Sequence, residues 1–245
     1  MKKYAKGIVV VILITVAAIS MMPVISFINE VHQSETVNKR VKDTIKNKEN
    51  DMMFSQNDWD DLKKINNDFV GYLIFPDEWI MEPIVQGEDN DYYLHHDFEK
   101  NINDLGTVYM DSSNELFDQN ISIYGHNVFM PGELKFTRIS HLVNQAVYDK
   151  HHNFDIYWKD HVSRYVITNV YYYDAIMDKD FPFYEYNIPE EEFASYKNYI
   201  DTYNLISPVD ELREDDNFVS LVTCKALDEI TRIIVVAREE RRVNY

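Results

Sequence analysis

The sequence is organised around two apolar runs near its C-terminal end, FVSLVTC (residues 218–224) and RIIVVAR (residues 232–238). Both are rich in β-branched residues and are separated by the polar segment KALDEIT, so we expect two neighbouring buried strands. The first run ends on Cys224, the single cysteine of the chain. The second begins with Arg232, and a charge at the mouth of an apolar strand is costly unless it holds an anion. The pattern predicts a thiol and a guanidinium at the facing ends of two strands.

Composition limits the class of protein. The chain has 245 residues, 45% of them hydrophobic, which is enough for one sizeable core. It carries 24 Lys and Arg against 42 Asp and Glu, a net charge of -18. A chain this acidic repels phosphate backbones, so we expect no nucleic-acid partner.

The N-terminal segment is typical of a membrane anchor. Lys2, Lys3 and Lys6 precede an uncharged run over residues 7–29, which is long enough as a helix to cross a hydrocarbon core of roughly 30 Å. A cleaved signal peptide would have a shorter apolar centre and a small-residue cleavage site. We therefore predict a cytoplasmic tail (1–6), an uncleaved single-pass signal anchor (7–29) and an extracellular remainder.

The rest of the chain divides into a connector and one domain. Residues 30–57 are polar, and the spacing of Val37, Val41 and Ile45 predicts that they are partly helical and lift the domain off the membrane. Residues 58–245 form the predicted extracytoplasmic domain. Its first helix is capped within residues 55–57, and we expect it to carry Trp59, Leu62, Ile65 and Phe69 on one face.

Strand signals dominate the domain. Short β-type runs occur at 70–75, 82–86, 106–110, 121–125, 154–158 and 162–175, bounded by Pro, Gly, Asp and Asn. Helical patterns occur at 133–150 and at 189–204, the second with Asn187 as its cap and Pro189 at its first position. The expected fold is mostly β, a single mixed β-barrel with inserted helices.

One of the eight histidines has a distinctive context. His126 follows the strand ISIY and a glycine, in Tyr124-Gly125-His126-Asn127. A side chain just past a strand end is held rigidly and still reaches solvent, although an exposed loop histidine would have the same context. His141 and His161 are expected at the surface. With no HExxH motif and no second cysteine, we expect no metal site. Cys224 itself could equally be a small buried hydrophobe.

These residues together resemble a known family. YGHN (124–127), VTC (222–224) and an arginine eight residues after the cysteine occur in the order and spacing of a class B sortase. The wider segments NNDFVGYL (66–73), VQGEDNDYYLHHDF (85–98) and GTVYMD (106–111) are similar as well. The resemblance covers about residues 58 to 240.

The resemblance implies a fold and a reaction. The fold is a closed β-barrel with an N-terminal helical extension and a long helix before the cysteine strand. The family's members are membrane-anchored cysteine transpeptidases of Gram-positive bacteria, with no cofactor. On that resemblance Cys224 attacks the threonine carbonyl of a sorting signal and forms a thioacyl enzyme. His126 protonates the leaving amine, and Arg232 stabilises the oxyanion.

The resemblance also implies substrates and partners. By position, Asn90, Leu94, Val222, Thr223 and the loop at 174–189 would line the substrate groove. The expected substrates are surface proteins with N-P-x-T-x or Ser/Pro-P-x-T-G signals, and the acceptor is an amine of peptidoglycan or of its lipid-linked precursor. Two features depart from the family: Val222 stands where a serine is common, and the loop after the histidine reads VFMPGELKF (128–136).

Three other functions fit the same residues. A cysteine protease would hydrolyse the same acyl intermediate, and a pilus-polymerising sortase would transfer it to a lysine of another protein. A silent membrane-tethered binding module would do neither, but the joint presence of Cys224, His126 and Arg232 argues against it.

Overall fold

The computed structural model describes residues 2–46, 54–128, 134–226 and 228–244. Its helices are α1 (Lys2–Lys46), α2 (Gln56–Ile65), α3 (Gln145–His151) and α4 (Glu190–Thr202). Its strands are β1 (Phe69–Ile74), β2 (Met81–Val85), β3 (Tyr109–Met110), β4 (Asn120–Tyr124), β5 (Asn153–Tyr157), β6 (His161–Asp174), β7 (Phe218–Lys225) and β8 (Asp228–Asn244). Short 3₁₀ helices span Pro76–Glu78, Tyr92–Leu94 and Arg138–Val143.

Within the described residues, the eight strands close into a barrel in the order β1-β2-β3-β4-β7-β8-β6-β5. The β2–β3 and β4–β7 pairs are parallel, and the remaining neighbours are antiparallel. Closure gives each of these strands two neighbours, and the β2–β3 contact is made at Val85 and Tyr109. The expected β-barrel with inserted helices is confirmed, including the helix before the cysteine strand.

The barrel wall is apolar on both sides around the cysteine strand. Val219 and Leu221 of β7 point into the barrel interior, in a cluster with Ile123 and Val235. Alternate residues of the same strands point outward into a second cluster that α4 covers, whose buried members include Tyr171, Phe193, Ile200, Phe218, Val222 and Ile234. Burial on both faces explains why β7 reads as a continuous apolar run.

The predicted anchor and much of the predicted connector form one helix, α1. An 18-residue window within Lys6–Ile45 has a mean hydropathy of 2.9 and none of it is buried. Further along, Val37, Val41 and Ile45 are buried against Phe54 and Trp59. Their spacing provides an apolar stripe that packs on the domain, so this half of α1 docks on the barrel. Residues 47–53 of the expected connector lie outside the described residues.

The first domain helix is capped as expected but is shorter. Ser55 caps α2 through a reciprocal capping box with Asp58. Phe69, expected on the helix face, is instead the first residue of β1, because Asn66 adopts an extended conformation and ends α2. Phe69 nevertheless packs on Trp59, with ring centroids 4.6 Å apart.

Three other expectations are wrong in detail. The helix predicted at 133–150 is a 3₁₀ turn followed by α3, because the extended residue Asn144 breaks it and caps α3 with its own side chain; residue 133 is outside the described part. Asn187 does not cap α4, whose N-cap is Pro189. The Asn187 side chain instead forms hydrogen bonds with residues 118 and 119. His161 is buried at the start of β6, with Nδ1 2.7 Å from Asp160.

Candidate active site

Cys224 and Arg232 lie directly opposite each other in the antiparallel β7–β8 pair. Directly opposed residues project from the same face of a sheet. On the other side of β8, Arg232 is opposite Tyr173 of β6. A row of three side chains, from Tyr173 through Arg232 to Cys224, therefore crosses one end of the barrel wall.

This row continues the outward-facing cluster beyond the part that α4 covers. Val222 and Ile234, two residues from Cys224 and Arg232, are buried there, whereas Cys224 and Arg232 are half-buried. A register shift after Cys224 ends the regular pairing. The thiol consequently lies where the wall passes from a packed core to solvent.

Three hydrogen bonds fix the histidine loop beside the cysteine strand. β4 runs parallel to β7, and Tyr124 pairs with Val222. Beyond this pair, Gly125 N–H donates to the Val222 carbonyl (3.1 Å). The Thr223 hydroxyl donates to the Gly125 carbonyl (2.8 Å), and the Asn127 side-chain amide donates to the Cys224 carbonyl (2.8 Å). His126 thus takes the position along β4 that Cys224 takes along β7.

The imidazole of His126 has a defined tautomer. Its Nε2 lies 3.0 Å from the Leu94 carbonyl oxygen. A carbonyl can only accept, so Nε2 carries the hydrogen, and Nδ1 is the basic nitrogen of the neutral ring.

The surroundings of His126 favour the neutral ring. Burial lowers its pKa below the ordinary value of 6.5, and the nearby basic groups of His95 and Lys135 act in the same direction. The Leu94 hydrogen bond and the Asp104 carboxylate oppose this without reversing it. His126 is therefore mainly uncharged at neutral pH.

Gly125 allows the loop to approach its neighbours closely. A Cβ at this position would lie 2.7 Å from Cγ of the Phe136 ring, which is closer than side chains tolerate. Phe136 also donates its N–H to the His126 carbonyl (3.0 Å). The glycine before the histidine is thus required by packing against Phe136.

The residues expected in the substrate groove occupy different environments. The side chains of Val222 and Thr223 are buried. Leu94 ends a 3₁₀ helix and offers its carbonyl to His126. Asn90 is exposed and is held by Ser112 N–H (2.7 Å) and the Asp111 carboxylate (3.0 Å). The structure brings Leu94 to the histidine, while Asn90 connects to the site through Asp111, which also accepts from the Tyr124 hydroxyl (3.0 Å).

Sequence reasoning missed two residues beside this site. One is Asn127, which binds the cysteine carbonyl. The other is Tyr109, which stacks on Tyr124 with ring centroids 5.3 Å apart. Burial raises the pKa of Tyr109 well above its usual value; the nearby Cys224 adds to the rise, and the nearby Arg232 opposes it. The position of Asn127 directly after His126 was the sequence signal that could have identified it. Tyr109 had no such signal apart from its place in a predicted strand.

The unusual loop after His126 is described only in part. Val128 and residues 134–136 are described, and both Val128 and Leu134 are buried. Residues 129–133 lie outside the described part. Among the described residues, no group of three His, Cys, Asp or Glu side chains could hold a metal ion.

Comparison with known proteins relates this arrangement to one family. No family model matches the chain. Sortase B of Listeria monocytogenes is 29% identical over 167 residues, which cover 67% of this chain and 65% of that protein. The solved Clostridium perfringens sortase B is 30% identical, with a TM-score of 0.67 over 75% of this chain and 100% of that one.

A further solved structure shares the fold. A Staphylococcus aureus sortase B–substrate complex superposes with a TM-score of 0.73 over 87% of this chain and 97% of that one, at 22% identity. The C. perfringens relative is matched along its whole solved length, and its barrel is the one described above. The chain belongs to the class B sortases, a family of cysteine transpeptidases.

Proposed function

We propose that the chain is a cysteine transpeptidase that cleaves a sorting signal after threonine and transfers the acyl group to a cell-wall amine. The observation that carries the proposal is the placement of Cys224 opposite Arg232, with His126 fixed beside the cysteine strand. A nucleophile, a base and an anion-binding donor at one end of a barrel are the parts that acyl transfer requires.

In the first half-reaction, the sulfur of Cys224 attacks the threonine carbonyl carbon. Nδ1 of His126, the basic nitrogen, takes the thiol proton as the C–S bond forms. The carbonyl oxygen becomes an oxyanion, which Arg232 stabilises by donating hydrogen bonds that strengthen in the transition state. Collapse breaks the C–N bond, and the proton on His126 passes to the leaving amine.

In the second half-reaction the roles reverse. An incoming amine attacks the thioester carbonyl and loses a proton to His126, and the C–S bond breaks as the new amide forms. The proton returns to the thiolate, so that the enzyme is regenerated. Because burial lowers the pKa of His126, this mechanism starts from the neutral imidazole.

The proposed substrates follow the family resemblance. We infer that the donor is a surface protein with an N-P-x-T-x or Ser/Pro-P-x-T-G signal, and that the acceptor is an amine of peptidoglycan or its lipid-linked precursor. The S. aureus relative has been solved as a substrate complex, which supports a peptide groove on this barrel. Asn90, Leu94, Val222 and Thr223 are the proposed groove residues, and the last two are buried in the β4–β7–β8 part of the barrel wall.

We further propose that the N-terminal part of α1 anchors the enzyme in the cell membrane, with residues 1–6 inside and the domain outside. The unburied window of mean hydropathy 2.9 supports this. Protease added to intact protoplasts should digest the domain. Protection of the domain would contradict the orientation, and a mature protein beginning near residue 30 would contradict the anchor.

A peptide panel tests the proposed reaction. The full-length protein in detergent micelles is incubated with peptides carrying N-P-x-T-x, Ser/Pro-P-x-T-G or L-P-x-T-G, with and without an amine, and products are identified by mass spectrometry. Cleavage after threonine and an amine-dependent ligated product are expected for the first two classes. Hydrolysis alone would indicate a protease, transfer only to a protein lysine would indicate a polymerising enzyme, and no turnover would indicate a binding module.

A further inference from the structure

Lys135 is an unusual lysine. Its side chain is 2% exposed, although lysine is almost never fully buried unless it is paired. Its backbone also has a positive φ of 54°, a conformation that costs free energy for a residue with a side chain. Both costs persist only where the surrounding structure requires them, and the surroundings of Lys135 indicate a role.

The Lys135 ammonium is held by two side chains from separate elements. Its Nζ lies 3.9 Å from Oε2 of the buried Glu82 on β2 and donates to Oδ1 of Asn38 on α1 (3.3 Å). The Asn38 amide donates in turn to Oε1 of Glu82 (3.4 Å). We name these three residues the Asn38–Glu82–Lys135 cluster.

The backbone of Lys135 is joined to the histidine loop. Lys135 forms an antiparallel β-bridge with Asn127, the residue whose side chain binds the Cys224 carbonyl. The next residue, Phe136, donates its N–H to the His126 carbonyl and packs its ring on Gly125. A displacement of Lys135 would therefore move the backbone on both sides of His126.

The other side of the cluster is the docked half of α1. Asn38 follows the buried Val37 in the stripe that packs on the domain. About two turns before Asn38, Val31 of α1 is buried in a cluster with Val128 and Leu134, which flank the same loop. The helix that leads from the proposed membrane anchor thus contacts the segments before and after the loop's undescribed residues.

We propose that Lys135 is a positioning residue for His126, and that the docked half of α1 supports it through Asn38. The proposal rests on the function proposed above, since it concerns the histidine of that reaction. Glu82 and Asn38 hold the ammonium, and Asn38 also donates to one Glu82 oxygen, so that the histidine loop is fixed only when α1 is docked. The lysine's positive charge also reaches the imidazole and favours its neutral form.

Other charged residues lie near His126 and Glu82, and a test must separate their effects from that of Lys135. His126 is influenced by His95 and Asp104 from the β2–β3 loop as well as by Lys135. Glu82 is influenced by Lys42 of α1 in addition to Lys135. Removing Lys135 alone would leave a buried unpaired carboxylate, which is itself strongly destabilising. The informative variant therefore neutralises both partners.

The experiment compares full-length wild type, Asn38→Ala, the double variant Glu82→Gln/Lys135→Met, and Lys39→Met in detergent micelles. Lys39 is an exposed lysine that lines the same cleft between α1 and the barrel, so it serves as the matched control. For each protein, kcat, KM and the pH profile of kcat/KM are measured with a sorting-signal peptide, and folding is checked by thermal melting.

We expect the double variant to lose at least about tenfold in kcat with little change in KM, because small misplacements of a catalytic group are costly. Its acid limb should shift to higher pH, since a cation near His126 has been removed. Asn38→Ala should lose kcat in the same direction but less, and Lys39→Met should match wild type. A structural role alone would lower the melting temperature without moving the pH profile.

Two results would overturn the proposal. One is a folded double variant with wild-type kcat and an unmoved acid limb. The other applies if the double variant does not fold. In that case, an Asn38→Ala variant with wild-type kcat and a wild-type pH profile would contradict the proposal that α1 supports Lys135 through Asn38. If wild type itself turns over no peptide, the proposed function fails instead. The pH dependence of Cys224 alkylation by iodoacetamide then decides the role of Lys135, and identical profiles in wild type and variants would refute it.

Discussion

Arg232 is the cross-strand partner of Cys224, and the pair lies where the β7–β8 ladder leaves the packed wall of the barrel. Opposed side chains in such a pair are close neighbours on one face of the sheet. A carbonyl attacked by the thiol would consequently develop its negative charge beside the guanidinium. The alternative is that Arg232 serves only as a structural ion-pair partner near the strand turn.

Arg232→Lys separates these two roles. Lysine keeps the charge but lacks the planar donor fork, and losing one oxyanion donor typically costs about 2.7–4 kcal/mol, roughly a hundredfold to a thousandfold in rate. We expect at least about a hundredfold loss of kcat with a smaller change in KM, and unchanged reaction with a thiol probe. Arg213→Lys, in an exposed ion pair with Asp210, is the control. Activity of Arg232→Lys within tenfold of wild type would contradict the oxyanion role and indicate that Arg232 has a structural role only.

His126→Ala should be as inactive as Cys224→Ala, because residues that act as one unit are not additive. His95→Ala and His96→Ala should remain active, since the exposed His95 pairs with Asp104 and acts on His126 only as a nearby charge, and the half-buried His96 bonds to the Tyr92 carbonyl. Steady-state rates of purified variants provide the comparison. If either control is inactive while His126→Ala turns over peptide, the wrong histidine has been assigned.

The pH profile follows from the burial of His126. Burial lowers its pKa below 6.5, and the mechanism needs the neutral ring, so activity should be full at pH 7 and fall as the pH drops through the lowered pKa. The acid limb of kcat/KM should therefore lie below pH 6.5. The free energy of unfolding should change with pH in the same direction. Because the pKa of His126 is lower in the folded than in the unfolded chain, the stability that it contributes is present above its unfolded pKa and is lost as the pH falls through its folded pKa. An acid limb above 6.5 would contradict a resting neutral imidazole.

Gly125→Ala tests the close packing beneath the histidine loop. The new Cβ would meet the Phe136 ring at 2.7 Å, and overpacking of this kind costs about 1–3 kcal/mol. We expect a lower free energy of unfolding, measured by urea titration, together with reduced activity. In the double variant Gly125→Ala/Phe136→Leu the smaller side chain should recover part of the loss. Strict additivity of the two changes would show that they do not meet.

Much of the fold could be predicted from local patterns. The runs ending at Cys224 and beginning at Arg232 are apolar on both faces and separated by a short turn, so their pairing and the facing of thiol and guanidinium followed directly. The capping box at Ser55 was equally local. Two helix boundaries were predicted wrongly. Pro189, and not Asn187, is the N-cap of α4, and Asn144 interrupts the helix predicted at 133–150 and caps α3.

The parts that could not be predicted depend on contacts between distant residues. Asn127 binds the Cys224 carbonyl across 97 positions, and Lys135 binds Asn38 across 97 as well. No periodicity in the sequence reports such pairs. The same is true of His161, whose polar turn context suggested the surface while the barrel buries it, and of α1, whose valine stripe gave no indication of what would cover it.

The most direct test of the proposed chemistry is the mass of the enzyme during turnover. Full-length protein is mixed with an N-P-x-T-x or Ser/Pro-P-x-T-G peptide without amine, quenched in acid, and analysed by intact-mass and peptide mass spectrometry. We predict an adduct on Cys224 whose mass increment equals that of the peptide up to and including its threonine less one water, and which disappears when an amine is added. Cleavage of the peptide with no adduct on wild type, and persisting in Cys224→Ala, would contradict it.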